Sequence, residues 1–353
     1  MLRDVRVLGE AGKFNGQFVY PRAMDVFEYQ GQTLAAIVDK TARIQILDLD
    51  SGEVIGAIHT PRWDRGKPTG LTAGISLLDP SKLAIYVADT HEFRVLMYEL
   101  PLEMSDEPQP TEPDFQFGQY GMEPGQFIYP TDVALDTNPD GVVERIYVSE
   151  YGGNDRINVF SVDRSGPSPQ VVWERQLGIV GEEVDASDDP LALARPQSIE
   201  LWRNPSSGRS EIVLTDAGHH RVGRIGTDGE LIAWFGDPLD VSEQAYRFPY
   251  GLTLLDDGTA LVSEFGANRV RRIDLESGET LFRYGEAGRS VGQLAQPWAA
   301  GRAGDKLVIL DSGNSRVQIC DLPIGSGSVG HEYTRPIPVF DQGSDEPNGV
   351  TAP

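Results

Sequence analysis

Six short segments of the sequence each bring a carboxylate close to an arginine, a pairing that could support acid–base chemistry. One is VSEYGGNDRINVF (148–160), with near copies at 262–274 and 309–321. From acid to arginine the six are Asp39–Arg43, Asp89–Arg94, Glu150–Arg156, Asp216–Arg221, Glu264–Arg269 and Asp311–Arg316. Sixfold repetition is typical of architecture rather than of a single active site. We therefore expect each acid to accept backbone N–H bonds in a tight turn and each arginine to bridge that turn to its surroundings.

A second set of residues is defined by prolines, one of which lies 14 to 21 positions before each acid. These are Pro21, Pro68, Pro130, Pro196, Pro249 and Pro297, and the residues directly after them are Arg22, Thr69, Thr131, Gln197, Tyr250 and Trp298. The second six show no repeat symmetry, which favours ligand binding, although simple filling of space is the alternative. An arginine offers a bidentate donor set for a carboxylate or phosphate, and tyrosine and tryptophan offer flat faces for a sugar or an aromatic ring. Asp132, Glu150 and Glu264 are candidate accessory acids beside them.

Metal chemistry is the alternative use of these positions. His91 and the pair His219–His220 fall in acid–arginine segments, so they could share a face and bind zinc or another transition metal. Ordinary polar contacts in a loop explain the same residues, and we expect no metal. A hard cation held by Asp132, Glu150 and Glu264 is a further alternative.

The elements that must position these residues are strands. Apolar, β-rich runs flank every acid–arginine segment, a third run follows each proline, and a fourth ends in an aromatic–glycine step such as Phe117-Gly118 or Phe235-Gly236. Four strands for each unit, with units 47 to 66 residues apart, predict an all-β, six-bladed β-propeller of four-stranded antiparallel blades. The post-proline residues should then ring the mouth of the central channel, on the face that also carries the acid–arginine loops.

The ends of the chain predict how the ring closes. The unit led by Pro297 supplies only three strands, whereas Asp4–Leu8 precedes GEAGKFNGQFVYP as Leu281–Tyr284 precedes GEAGRSVGQLAQP. The N-terminal strand should therefore be the fourth strand of the last blade. We treat residues 1–353 as one domain, with loops at 101–114 and 181–195 and an extended C-terminal tail at 323–353.

These phrases resemble the NHL-repeat propellers over residues 1–321, through recurring Pro-x-[Gly/Asp/Ser] and [Asp/Glu]-x-x-Asn-x-Arg patterns. Related six-bladed families include metal-dependent lactonases and peptide-amidating lyases. The amidating lyases carry zinc-binding histidines directly after the blade-leading prolines, and this sequence has none there. The resemblance thus implies the fold and a channel-mouth site, without the lyase's zinc ligands.

Composition excludes several classes of function. The net charge is −24 for 353 residues, which opposes binding to nucleic acid and to anionic membranes. The sequence has no run of about 18 apolar residues, so it predicts no membrane-spanning helix. The N-terminus MLRDVRVLGE lacks the apolar stretch of a signal peptide, so cytoplasmic residence and export after removal of a leader both stay open. Cys320, the single cysteine, lies in a strand-like run and is expected to be a buried, inert thiol.

Two functions follow from this sequence. The first is a monomeric, non-enzymatic binding module or scaffold for a protein, peptide or glycan at the channel mouth. The second is a metal-dependent hydrolase or lyase, lactonase-like or amidating-lyase-like, with its site in the same place.

Overall fold

The computed structural model describes residues 4–65, 67–104, 109–181 and 189–322, and these form six four-stranded antiparallel sheets arranged in a ring. The predicted β-propeller is confirmed. From the channel outward, the strands of blade 1 are Pro21–Tyr29, Gln32–Asp39, Arg43–Asp48 and Val54–His59. In the same order, the strands of blade 2 are Gly70–Ile75, Leu83–Asp89, Arg94–Glu99 and Phe115–Phe117. The strands of blade 3 are Tyr129–Thr137, Val143–Tyr151, Arg156–Asp163 and Gln170–Leu177. Blade 4 consists of Pro196–Arg203, Ser210–Asp216, Arg221–Gly226 and Leu231–Phe235. Blade 5 consists of Pro249–Leu254, Thr259–Glu264, Arg269–Asp274 and Thr280–Tyr284. Blade 6 consists of Ala299–Ala303, Lys306–Asp311, Arg316–Asp321 and Arg6–Leu8.

The ring closes through the N-terminal strand, as the sequence predicts. Arg6–Leu8 pairs antiparallel with Arg316–Asp321, with Leu8 opposite Val317. Arg6 also donates to the carbonyl oxygens of Leu49 and Asp50 at 2.9 and 2.8 Å, which ties the closing strand to blade 1. The fourth strand of blade 6 therefore comes from the opposite end of the chain.

Hydrophobic side chains fill the spaces between neighbouring blades. The middle strands are buried on both faces, and every residue of Leu83–Asp89 is buried. Two-sided burial explains why these segments read as continuous apolar runs in the sequence instead of alternating with polar residues. The innermost strand of each blade contacts the innermost strands of both neighbours, so residues after the six prolines come together around the channel.

Loops between blades use glycine where the backbone must be left-handed. Gly9, Gly118 and Gly285 have φ of 74°, 97° and 101°, and a Cβ at each would lie 2.3 to 2.5 Å from Phe18, Phe127 or Leu294. A side chain cannot fit there, which accounts for the aromatic–glycine step that recurs at the end of the blades.

The described residues contain short 3₁₀ turns but no α-helix, and none of their helices is long and apolar enough to cross a bilayer. The predicted loops at 101–114 and 181–195 are described only in part, and the predicted tail at 323–353 lies outside the described residues.

Candidate functional site

The six acid–arginine pairs form one repeated structure. All six acids are completely buried, and each pairs with its own arginine at 2.7 to 3.1 Å. Five of the six arginines reach back to the loop before the blade: Arg316, for example, donates to the carbonyl oxygens of Ser290 and Gln293 at 2.8 and 3.0 Å. The acid of the same pair, Asp311, accepts the Ala295 N–H at 2.7 Å. These five pairs thus hold their blades to the incoming loops, as expected of scaffold, whereas Arg94 of blade 2 donates to Gln116 of the outer strand at 3.0 Å.

Glu150 and Glu264, the two candidate accessory acids of this set, fill the same scaffold position. Each accepts a further hydrogen bond from the residue two places after its arginine, Asn158 at 2.9 Å and Arg271 at 2.7 Å. Asp311 accepts the corresponding bond from Gln318 at 2.9 Å, so this second donor does not require a glutamate. Neither carboxylate is exposed at the channel mouth.

A second backbone feature recurs directly before the blade-leading prolines. Tyr20, Arg195, Phe248 and Gln296 are left-handed, with φ between 45° and 58°. Groups from the preceding blade fix this conformation: the N–H of Arg195 donates to Asp155 Oδ2 at 2.6 Å, and that of Gln296 to Asn268 Oδ1 at 2.8 Å. Left-handed backbone is costly for residues other than glycine. Here it turns Tyr20 and Arg195 towards the channel mouth, where both contact residues of other blades.

Two arginines, Arg22 and Arg195, lie among aromatic rings at this mouth, and we call them the mouth arginines. The Arg22 guanidinium lies 5.7 Å from the ring centre of Trp298. The Arg195 guanidinium lies between Tyr151 and Tyr250, at 4.8 and 5.0 Å. Cation–π contacts of this kind are worth about 0.5–2 kcal/mol each, so they help to hold the arginines in place without neutralising their charge.

Contacts among the rings continue between the two arginines. Tyr250 stacks on Phe265 with ring centres 4.5 Å apart, and it meets Trp298 edge-on at 4.9 Å. Tyr20 meets the other side of Trp298 at 6.2 Å. The mouth is therefore a packed aromatic surface in which blades 1, 3, 4, 5 and 6 all take part.

The electrostatics of the mouth arginines differ from those of the scaffold arginines. Within the described part of the chain, neither guanidinium forms an ion pair with a carboxylate, and Arg22 Nε is buried without a hydrogen-bond partner. Burial lowers the pKa of Arg22, and the nearby charge of Arg195 lowers it further. The one side-chain hydrogen bond of Arg195 in this region is to Gln197 Oε1, at 3.2 Å. Two positive charges thus lie near enough to repel each other, and neither guanidinium has a carboxylate partner among the described residues.

Burial also raises the pKa of Tyr20 and of Tyr250, so both phenols keep their protons at neutral pH, and the Tyr20 hydroxyl donates a hydrogen bond to Gln296 Oε1 at 2.8 Å. His91 lies at the same face, with its ring 5.4 Å from that of Tyr129. Burial, together with the positive charges of Lys67 and Arg22, lowers the pKa of His91. At neutral pH it is an uncharged imidazole.

The six post-proline residues do not share one environment. Thr69, Thr131 and Gln197 are buried: the Thr69 hydroxyl meets that of Thr90 at 2.7 Å, and the Thr131 hydroxyl donates to the Pro196 carbonyl at 2.7 Å. These two hydroxyls serve contacts within and between blades. Tyr250 and Trp298 are buried as well, with 5% and 7% of their surface exposed, whereas Arg22 is only partly buried. Thr69, Gln197, Tyr250 and Trp298 line the channel cavity, and Arg22 adjoins them through its contact with Trp298.

Below the mouth, acidic side chains join the innermost strands. Asp132 accepts hydrogen bonds from Ser198 Oγ at 2.6 Å and from the Ile199 N–H at 3.0 Å, both in the next blade. Asp25 does the same for the Ala73 N–H at 2.8 Å. Burial raises the pKa of Asp132 to about 7. The channel cavity here has a volume of about 40 Å³, which holds a few water molecules, so a larger ligand must lie above it at the mouth.

The three candidate metal-binding histidines occupy separate places. His219 is buried against Asp216 Oδ2 at 2.8 Å, His220 packs edge-on against Phe248 with ring centres 4.4 Å apart, and His91 lies against Tyr129. Across the ranges that the structure describes, no three His, Cys, Asp or Glu side chains converge as ligands for a metal ion. Cys320 is buried, and burial raises the pKa of its thiol to about 12.

Sequence reasoning missed Arg195, Tyr20, Tyr129 and Tyr151. The first three directly precede the blade-leading prolines Pro196, Pro21 and Pro130, so a signal was present two positions before the post-proline residues that were chosen. Tyr151 follows the scaffold acid Glu150 and carried no signal apart from its aromatic character.

No family model matches the sequence, and no curated protein matches it. The fold does match solved structures. A protein of unknown function from Bacteroides thetaiotaomicron has 17% identity and a TM-score of 0.59, covering 90% of this chain and 76% of its own. Virginiamycin B lyase from Staphylococcus aureus has 13% identity and a TM-score of 0.51 (91% and 99%), and a streptogramin B lyase has 17% and 0.50 (91% and 88%). These similarities show a six-bladed propeller fold, while membership of the NHL family stays a prediction.

Proposed function

We propose that this propeller is a binding module that holds an oxyanion ligand, in the first instance a carboxylate, between Arg22 and Arg195 at the channel mouth. The observation that carries the proposal is the pair of guanidiniums without a carboxylate partner in the described residues, in a protein of net charge −24. Acidic residues greatly outnumber basic ones, so carboxylates for pairing are abundant elsewhere. Among the described residues no carboxylate pairs with either guanidinium, since Asp155 accepts the backbone N–H of Arg195, and this leaves the guanidiniums for the anion of a ligand.

Physical chemistry favours an anion at this position. Each mouth arginine has lost part of its hydration, which is costly for a charge that is not paired. The mutual repulsion of Arg22 and Arg195 adds to that cost. A carboxylate placed between them would relieve both penalties and could accept charge-assisted hydrogen bonds from planar donors, each worth about 1.5–3 kcal/mol.

The surrounding rings indicate what else such a ligand carries. Trp298, Tyr250 and Tyr20 give apolar faces and protonated phenol groups next to the anion site. Large, fairly rigid aromatic side chains bind ligands at a low cost in conformational entropy. A ligand with one oxyanion and an adjoining ring or apolar face fits this combination better than a small inorganic anion does.

Isothermal titration calorimetry with glucuronate, benzoate and inorganic phosphate tests the proposal. We expect at least one of the two carboxylates to bind, and the variant Arg22→Gln/Arg195→Gln to bind about 100-fold more weakly or not measurably, because two charge-assisted contacts are lost. Arg209→Gln, an exposed arginine of blade 4, is the matched control and should bind as the wild type does. Equal affinity of the double variant and the wild type would contradict the proposal.

The same titration separates this proposal from the metal-dependent hydrolase or lyase. Protein dialysed against a chelator should bind with unchanged affinity. Loss of binding on dialysis, restored by a divalent metal, would favour the enzyme.

A further inference from the structure

The aromatic surface extends well beyond the mouth arginines. From Tyr151, beside Arg195, ring contacts lead outward to Tyr129 at 5.3 Å, then to Phe93 at 6.2 Å and finally to Tyr120 at 4.8 Å. We call Tyr151, Tyr129, Phe93 and Tyr120 the aromatic track. It begins at the channel and ends in the loop before blade 3, where Tyr120 is 66% exposed.

We propose that the mouth and the track together bind an acidic oligosaccharide, with one uronic acid residue held by Arg22 and Arg195 and neutral sugar rings lying along the track. This deepens the proposed function and depends on it. A pyranose ring has an apolar C–H face and hydroxyl groups at its edge. It therefore matches aromatic side chains that combine a flat face with polar edges, as Tyr129 and Tyr151 do.

The charge distribution limits the ligand to about one acidic group. Apart from Arg195 at its inner end, the track has His91 beside Tyr129, and the lowered pKa of His91 leaves it uncharged at neutral pH. The exposed Lys67 and the mouth arginine Arg22 are the cations that act on His91. A ligand charged on every unit would meet the net charge of −24 with cationic partners at one end only. Polyuronates and single-stranded nucleic acids are therefore disfavoured, although nucleic-acid bases also stack on aromatic rings.

A peptide is a poorer match for this surface. Extended peptides bind by adding a strand to an open sheet edge, and helical peptides bind in apolar grooves. The backbone around Tyr120 is already paired, since Gly121 N–H donates to the Phe127 carbonyl at 3.0 Å and Phe127 N–H to the Gln119 carbonyl at 2.8 Å. The track thus presents rings rather than free backbone groups.

The test compares four defined ligands by calorimetry on the full chain: glucuronic acid, an aldotetraouronic acid with one uronic acid and three xyloses, neutral xylotetraose, and tetragalacturonate. We expect the aldotetraouronic acid to bind about fivefold more tightly than glucuronic acid, since one additional stacked ring is worth about 1 kcal/mol. Xylotetraose and tetragalacturonate should both bind more weakly than the aldotetraouronic acid.

Tyr120→Ala separates the track from the anion site. This exposed side chain should matter only for the long ligand, so the aldotetraouronic acid should lose about threefold to tenfold in affinity while glucuronic acid binds as before. Phe14→Ala is the matched control, because Phe14 is 75% exposed in the corresponding loop before blade 1 and lies off the track. It should change neither affinity.

Failure of the two proposals can be told apart. If glucuronic acid binds through the mouth arginines, but neither ligand length nor Tyr120→Ala changes the affinity, the oligosaccharide proposal is wrong and the proposed anion site stands. If a carboxylate-bearing peptide, an oligonucleotide or tetragalacturonate binds more tightly than the aldotetraouronic acid, the oligosaccharide proposal is also overturned. If no acidic sugar binds but benzoate binds through the mouth arginines, this inference fails and the anion site stands. If neither benzoate nor an acidic sugar binds, or binding ignores both arginines, this inference and its basis fail together.

Discussion

The acid–arginine loops and the channel mouth share one face of the propeller, yet their arginines have different surroundings. In the loops, every arginine meets a completely buried carboxylate at 2.7 to 3.1 Å and also reaches backbone or side-chain acceptors nearby. At the mouth, Arg22 and Arg195 meet aromatic faces, and the charge of Arg195 acts on Arg22. The same side chain thus completes a fold in one region and leaves charge available for a ligand in the other.

The difference also lies in repetition. The loop pairs occur once in every blade, and in five of the six they fix the blade to its incoming loop. Arg22 and Arg195 have no counterparts in the other blades, since the residues at these two positions change from blade to blade. Variants in the two regions should therefore fail in different ways, and the following predictions run from the largest expected effect to the smallest.

Deleting residues 1–8 should have the largest effect on stability. The deletion removes the strand that completes blade 6, the buried Leu8 side chain and the Arg6 bonds to blade 1. Loss of this ladder and of one buried leucine should cost on the order of 6 kcal/mol in the free energy of unfolding. Chemical denaturation followed by circular dichroism measures it. Deleting residues 1–3 alone leaves the strand in place and is the control; equal stability of both truncated proteins would refute the closure.

Arg156→Ala should come next, because it leaves Glu150 buried without its charge partner. Removing one partner of a buried ion pair typically costs about 3–5 kcal/mol. Arg269→Ala should cost less, since Glu264 keeps a second ion pair, to Arg271, at 2.7 Å. Urea denaturation of both variants checks this order. The reverse order would mean that the number of cationic partners does not govern the stability of these loops.

Asp132 should give the protein a distinctive pH dependence. Its pKa is about 7 in the folded protein against an ordinary value of 3.8. As pH rises through this window, the unfolded chain releases the proton before the folded chain does, so stability falls by on the order of 4 kcal/mol at most. Relative to Asp132→Asn, the wild type should lose stability between pH 4 and 8. Thermal melts of both proteins across that range measure the change, and parallel curves would show that Asp132 titrates normally.

How much of the fold and of the candidate site could be predicted from the sequence depended on repetition. The six acids, their arginines and the N-terminal closing strand recur or complete a recurring pattern, so internal comparison of the sequence was enough to place them. The mouth has no such redundancy. Thr131 was a reasonable candidate for ligand binding, but it is buried against the next blade, where its hydroxyl donates to the Pro196 carbonyl oxygen. Arg195 escaped notice because its left-handed backbone, which depends on Asp155 of the preceding blade, cannot be read from local sequence.

The channel acids make the same point. Asp132 looked like a ligand-facing or cation-binding acid, whereas the structure gives it hydrogen bonds to Ser198 and Ile199 of the adjoining blade. Contacts between blades decide whether a polar residue near the axis faces a ligand or joins two strands, and those contacts are set by a register that the sequence does not display.

The most direct test of the account is the free energy of unfolding of Arg22→Gln/Arg195→Gln, measured with and without a saturating acidic sugar. Without the sugar, we expect the double variant to be at least as stable as the wild type, because two unpaired, partly buried charges have been removed. With the sugar, only the wild type should gain stability. A double variant destabilised without ligand as strongly as Arg156→Ala would contradict the account, since the mouth arginines would then be scaffold like the others.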